Sequence, residues 1–80
     1  MSGDGDDFPV QDVQERVVAY LEAVDPEEVT QAARRHQGHG EAVALALGRI
    51  ERARIAAEGA GDGEAVDVLL QLRDRELAGG

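Results

Sequence analysis

The chain has 80 residues, no cysteine and a formal net charge of −9 at pH 7. This length fits one domain, and the lack of cysteine excludes a disulfide framework, a zinc-thiolate site and a thiol nucleophile. The sequence starts without the basic and apolar regions of a secretory signal. Its longest apolar run, residues 42–47, is far shorter than the roughly 20 residues that span a bilayer. We therefore expect a cytoplasmic protein that does not bind membranes.

The first 24 residues divide into a tail and a helix. Residues 1–7 are rich in Gly and Asp, so we predict a disordered acidic tail followed by a single helical domain at residues 8–78. From Pro9, aliphatic residues recur at the spacing of one helix face, which predicts a first helix over residues 9–24. The stripe consists of Val10, Val13, Val17, Val18, Leu21 and Val24.

A second, short helix is predicted to follow at once. Asp25 can accept hydrogen bonds from free backbone N–H groups as an N-cap, and Pro26 is favoured at the first helical position. The segment is weakly apolar and ends in Arg34, Arg35 and His36, basic residues that suit a helix C-terminus. Residues 37–40 contain two glycines and are predicted to break the helix.

A third helix is predicted over residues 41–58, and we expect its apolar first half, residues 42–47, to be the most enclosed part of the molecule. Gly48 within this helix indicates that a neighbouring helix approaches closely. Residues 59–63 form a turn in which Asp62 is the predicted N-cap of a fourth helix, residues 63–77. We expect the fourth helix to bury its aliphatic residues, Val66, Leu69, Leu70, Leu72 and Leu77.

The sequence lacks sustained alternation of apolar and polar residues and lacks hairpin turn signals, so strands are not expected. We predict an all-α fold: a small four-helix domain with a short second helix, arranged as a bundle or as orthogonal helical hairpins.

Chemistry-bearing residues are few. His36 and His39 lie near Glu41, but a third well-placed ligand is missing and the neighbouring Arg34 and Arg35 repel cations, so no metal site is expected. Thr30 has no obvious base near it, and the only serine is Ser2. Acyl carrier proteins have a similar size and charge, but they need a serine where the second helix begins, and this chain has none there. We therefore expect neither an enzyme nor a cofactor.

By elimination, we expect a small acidic protein–protein interaction module, an adaptor or an accessory regulatory subunit, that can also form a homodimer. The broad apolar stripe of the first helix is the expected contact surface, with Tyr20 as a possible anchor. The arginines of the central third could form a basic face. The candidate interaction residues are Val13, Val17, Val18, Tyr20, Leu21, Arg34, Arg35, Arg49 and Arg52, with Arg54 adjoining the arginine group.

Two alternatives remain open from sequence. An antitoxin-like protein or transcription inhibitor would use the acidic surface to block a basic site on its partner. A nucleic-acid-binding helical module would use the central arginines, although a net charge of −9 disfavours binding to a polyanion.

Overall fold

The computed structural model describes residues 9–79, which form four α-helices and no strand. The helices are α1 (Pro9–Ala23), α2 (Pro26–Ala33), α3 (Glu41–Gly59) and α4 (Gly63–Gly79), and a 3-10 segment, Arg34–His39, connects α2 to α3. The predicted all-α, four-helix fold with a short second helix is confirmed. The predicted tail, residues 1–7, lies outside the described residues.

Both predicted N-caps are present. The backbone N–H of Glu27 donates to Asp25 Oδ1 at 3.1 Å, and Pro26 occupies the start of α2. The backbone N–H of Ala65 donates to Asp62 Oδ1 at 3.3 Å at the start of α4. Each carboxylate satisfies a donor that the helix itself leaves without a partner.

The end of α2 differs from the prediction. The α-helix stops at Ala33, and the basic residues that were expected to end it belong to the 3-10 segment, in which His36 has a non-helical φ of −119°. After Ala33 the sequence offers no further aliphatic residue to pack against α3, so the backbone adopts the tighter turn that is common at helix ends. Gly40, with a φ of 93°, then redirects the chain into α3.

The long helix α3 is the centre of the molecule, because α1, α2 and α4 all pack against it. The expected close approach at Gly48 is confirmed. A Cβ atom at this position would lie 2.8 Å from both the backbone nitrogen of Ala33 and the carbonyl oxygen of Val29. Glycine therefore allows the backbones of α2 and α3 to touch.

The main core lies between α1, α3 and α4 and is made mostly of valine and alanine. Its buried members are Val13, Val17, Ile50, Ala53, Ala57, Ala65 and Leu69. These residues come from three different helices, so packing between helices holds the fold together.

Burial along α3 corrects the expectation that residues 42–47 are the most enclosed part. Ala44 and Leu47 are buried, but Ala42 is exposed and Leu45 is 40% exposed. The fully enclosed positions of α3 are Leu47, at the end of this run, and Ala53 and Ala57 in the second half of the helix. A continuous apolar run cannot be buried on all sides of a helix that has neighbours on only some of them.

The predicted burial of α4 is correct for its centre and wrong for its end. Leu69 is fully buried, Val66, Leu70 and Leu72 are half-buried, and Leu77 is 43% exposed. Leu77 lies near the end of α4, which the main core does not reach.

The molecule is elongated, with extents of 49 × 25 × 17 Å and a radius of gyration of 14.0 Å. A compact chain of this length has a radius of gyration of about 12 Å. No helix within residues 9–79 combines the length and apolar character needed to cross a bilayer. Because the body is thin, the surfaces between neighbouring helices remain accessible as grooves.

Candidate functional site: the groove between α1 and α4

A groove of about 640 Å³ lies between α1 and α4. Five α1 residues line one side: Val13, Gln14, Val17, Val18 and Leu21. Six α4 residues line the other side: Glu64, Asp67, Val68, Gln71, Leu72 and Arg75. We call this feature the α1–α4 groove; it has an apolar floor and polar edges.

The apolar stripe of α1 is wider than the core that it contacts. Val13 and Val17 are buried, Leu21 is half-buried, and Val18 is 50% exposed. Successive helical residues are separated by about 100° around the axis, so Val17 can fill the core while Val18 faces the groove edge. The stripe therefore supplies both core packing and an accessible apolar surface.

On α4 the floor comes from Val68 and Leu72, both half-buried. Their i, i+4 spacing places them on the same face, one turn apart. Both also pack at the margin of the main core. The groove floor is thus the outer side of a packed layer, which holds it in a fixed shape.

Acidic side chains border the α1–α4 groove. Asp67 and Glu64 are exposed on the α4 edge. On α1, the exposed Glu15 and Glu22 lie three residues before and four residues after Val18, the spacing of immediate neighbours on a helix surface. Among the described residues, Arg75 is the single cation that lines the groove.

A polar cluster joins α1 to the start of α4. Arg16 donates from Nε to Asp62 Oδ2 at 2.8 Å and from Nη2 to Glu64 Oε1 at 3.0 Å. It also pairs with Asp12, one turn earlier on α1, at the i, i+4 spacing. The hydroxyl of Tyr20 donates to Asp62 Oδ2 at 3.2 Å.

The contacts within this cluster favour the charged forms of Asp62 and Arg16 and the neutral form of Tyr20. Hydrogen bonding from Arg16 lowers the pKa of Asp62 below its ordinary value of 3.8. The carboxylate of Asp62 in turn raises the pKa of Arg16 further above its usual value. Burial, together with the nearby charge of Asp62, raises the pKa of Tyr20 above its ordinary value of 10.0. At neutral pH the cluster is an ion pair with a neutral phenol, and it fixes the spacing of α1 and α4.

The five α1 residues predicted to form an interaction surface are now placed. Val13 and Val17 belong to the main core, at 6% and 2% exposure. Leu21 is half-buried in the groove, and Val18 is exposed at its edge. Tyr20 is half-buried on the other side of the stripe, where it bonds to Asp62.

The predicted arginine group is largely engaged in contacts within the chain. Arg35 pairs with Glu51, and Arg54 Nη1 donates to Glu58 Oε2 at 2.6 Å. Arg49 Nη1 donates to the carbonyl oxygen of Leu21 at 2.8 Å, at the end of α1. Arg34 is exposed, and Arg52 is half-buried with its Nε enclosed and lacking a hydrogen-bond partner among the described residues. Three of the five arginines thus bind acceptors within the chain, on α3 and at the end of α1.

The two histidines lie close together, with ring centroids 6.4 Å apart. His36 Nε2 lies 3.2 Å from Glu51 Oε1. Arg35 binds Oε2, the other oxygen of the same carboxylate. Within the described part of the chain, no group of three His, Cys, Asp or Glu side chains is placed to hold a metal ion.

Sequence reasoning missed the α4 side of the groove. Val68 was not among the expected buried residues, and nothing in the sequence pairs Val68 or Leu72 with Val18. The available signal is the i, i+4 repeat of Val68 and Leu72 beside the core residue Leu69.

A scan against protein-family models, a search of curated proteins and a search of solved structures found no match to this chain. The functional interpretation therefore depends on the geometry of the α1–α4 groove.

Proposed function

We propose that this chain is a non-catalytic protein–protein interaction module, an adaptor or accessory subunit, that binds a helical segment of its partner in the α1–α4 groove. The observation that carries the proposal is an open apolar floor, formed by two helices and bordered by polar residues. Amphipathic helices bind in grooves of this kind by inserting residues spaced three and four apart.

The dimensions of the groove support this proposal. Its α1 side extends from Val13 to Leu21 and its α4 side from Glu64 to Arg75, about 12 and 17 Å of helix. A partner helix of about two to three turns would match that length. The half-exposed Val18 supplies apolar area at the edge that a partner would cover.

The alternatives have weaker support. Three of the central arginines already bind groups within the chain, so they make a poor footprint for nucleic acid. An antitoxin-like or inhibitory role remains compatible with the groove, since it too requires a partner segment. It differs in that its affinity would come mainly from charge and would collapse in salt.

Titration of the 15N-labelled protein with amphipathic helical peptides tests the proposal. We expect amide shifts concentrated at Val18, Leu21, Val68 and Leu72. The Val18→Asp variant places a charge at the groove edge and is expected to weaken peptide binding at least tenfold, about 1.4 kcal/mol or more. Because Val18 is half-exposed, this change leaves the core intact.

Ile55→Asp is the matched control. Ile55 is 46% exposed, close to the 50% of Val18, but it lies on α3 and lines no part of the groove. We expect the Ile55→Asp variant to bind the peptides as tightly as the wild-type protein does. Equal loss in both variants, or shifts that avoid the groove, would contradict the proposal.

Self-association is a second use of the same surface, favoured by the exposed Val18. Sedimentation at two salt concentrations tests it. A dimer held by the apolar floor would persist in salt, grow with protein concentration and disappear in Val18→Asp. A monomer at every concentration would exclude this use.

A further inference from the structure

We infer that the partner segment is a basic amphipathic helix, one with an apolar face bordered by Arg or Lys. This inference rests on the proposed function, because it specifies the chemistry of the segment that occupies the α1–α4 groove. It is carried by the charges that border the apolar floor on both sides.

Carboxylates outnumber cations beside the groove, although Arg75 also lines the α4 edge. Glu15 and Glu22 are exposed helix-surface neighbours of Val18, just outside the residues that line the groove, and Asp67 is exposed on the α4 edge. Glu64 also lies on the α4 edge and is paired with Arg16. A helix bound to the floor would bring its flanking positions next to these carboxylates, where cationic side chains are attracted and anionic ones repelled.

The apolar floor and the acidic edges have separate roles. The floor made by Val17, Leu21, Val68 and Leu72 would accept any helix with an apolar stripe. The edges discriminate among such helices, because like charges placed face to face disfavour binding. The net charge of −9 extends the same preference to longer range and speeds encounter with a cation.

A second copy of this chain is a poorer occupant. Its own α1 and α4 surfaces carry the same acidic edges, so a symmetric dimer through this groove would bring carboxylates together. Its exposed arginines lie mainly in the 3-10 segment and α3, and a contact between that side and the groove of another copy would be head-to-tail. Such contacts produce rings or open chains rather than a closed pair.

Three synthetic peptides of about 18 residues, long enough for measurable helix, test the inference. They share one leucine stripe and differ only on the flanks, which carry Arg, Gln or Glu. We expect the Arg peptide to bind about tenfold more tightly than the Gln peptide, and the Glu peptide to bind more weakly than either. The preference for the Arg peptide over the Gln peptide is expected to shrink between about 0.1 M and 1 M salt, as the screening length falls from roughly 10 Å to 3 Å.

Variants that neutralise selected carboxylates show which charges cause the preference for the Arg peptide. Glu22→Gln combined with Asp67→Asn removes one carboxylate from each edge and is expected to weaken binding of the Arg peptide about fivefold while leaving the Gln peptide within about twofold. Glu27→Gln combined with Glu28→Gln removes the same charge from α2, which contributes no residue to the groove. We expect this control to change both affinities by less than about twofold.

The outcomes separate the two proposals. If the Gln peptide binds in the groove as tightly as the Arg peptide, the basic partner is wrong and the proposed function stands. If no peptide shifts the groove residues and Val18→Asp changes nothing, the proposed function fails as well. If the α2 control loses as much Arg-peptide affinity as the edge variant, the preference reflects total charge and the inference is overturned.

Discussion

Asp62 joins three parts of the molecule through one carboxylate. Its Oδ1 accepts from the backbone of Ala65 at the start of α4, while Arg16 and Tyr20 reach it from α1. The turn between α3 and α4 is therefore tied to α1 through Arg16 and Tyr20. Loss of this carboxylate would release both a helix cap and a contact between helices.

We expect Asp62→Asn to lower stability at neutral pH and to flatten the acid dependence of unfolding. The folded-state pKa of Asp62 lies below its ordinary value of 3.8, so the unfolded chain binds more protons between the two pKa values. This contribution to stability is present above about pH 5 and is lost as the pH falls through the lowered folded-state pKa. Urea unfolding at a series of pH values measures it.

Asp67→Asn provides the control, because it removes an exposed carboxyl from α4, the helix that Asp62 caps. Between pH 7 and pH 3, we expect the free energy of unfolding of Asp67→Asn to change with pH much as that of the wild type does. The free energy of unfolding of Asp62→Asn is expected to differ more. Identical acid profiles for the wild type and Asp62→Asn would show that the cluster does not contribute as described.

Sequence predicted only part of what Asp62 does. Its role as an N-cap follows from its position between glycines and before an apolar stripe. Its bonds to Arg16 and Tyr20 connect residues 46 and 42 positions apart in the chain. No local pattern encodes such a pairing, since it depends on how α1 and α4 pack.

At the scale of elements, the crossing of α2 and α3 depends on Gly48. The backbone atoms of Val29 and Ala33 occupy the space that a Cβ would need. Backbone atoms of a packed helix cannot move aside as a flexible side chain can. The short α2 is thereby held close to α3 although it brings only Val29, Ala32 and Ala33 to the interface.

We expect Gly48→Ala to destabilise the protein by about 1–3 kcal/mol through overpacking, despite the roughly 1 kcal/mol that Ala gains in helix propensity. Gly59→Ala is the control, because Gly59 also belongs to α3 but a methyl group added there would meet nothing within 4 Å. We expect it to be neutral or slightly stabilising. A Gly48→Ala variant as stable as Gly59→Ala in urea unfolding would contradict the close contact.

The elements themselves were predicted well, because their boundaries have local causes. The caps at Asp25 and Asp62 and the glycines near residues 40 and 61 place helix ends within a residue or two. The 3-10 segment was missed because its residues have neither periodicity nor a cap. The groove was half predicted: the stripe on α1 is visible in the sequence, whereas its juxtaposition with Val68 and Leu72 arises only from tertiary packing.

For the molecule as a whole, α3 is shared by two packing regions. Its first half carries α2 and the 3-10 segment, and its second half packs with α1 and α4 in the main core. The thin, elongated shape leaves few contacts outside this shared helix. Loss of α3 would therefore remove the packing partner of every other element.

We expect the two regions to unfold in one transition. Tyr20 is the only tyrosine and the chain has no tryptophan, so tyrosine fluorescence reports on the contact between α1 and Asp62. Far-UV circular dichroism reports on all the helices. Coincident urea midpoints from the two probes would indicate two-state unfolding.

A dichroism transition that clearly extends beyond the tyrosine transition would show that α2 and α3 melt separately from α1. Gly48→Ala offers a second check. If folding is cooperative, this change at the α2–α3 crossing lowers the midpoint of the distant tyrosine signal as much as that of dichroism.

The hydrogen bonds of Asp62 also affect the spontaneous isomerisation of the peptide bond that follows it. Asp62 precedes Gly63, and an aspartyl–glycine bond is prone to ring closure, in which the following amide nitrogen attacks the side-chain carboxyl and leaves an isomerised linkage. An ionised carboxylate already occupied by a guanidinium, a phenol and a backbone amide is a poor target for that attack. The native fold thus protects this aspartyl–glycine link, and slow covalent damage at this bond would be confined to molecules that have opened.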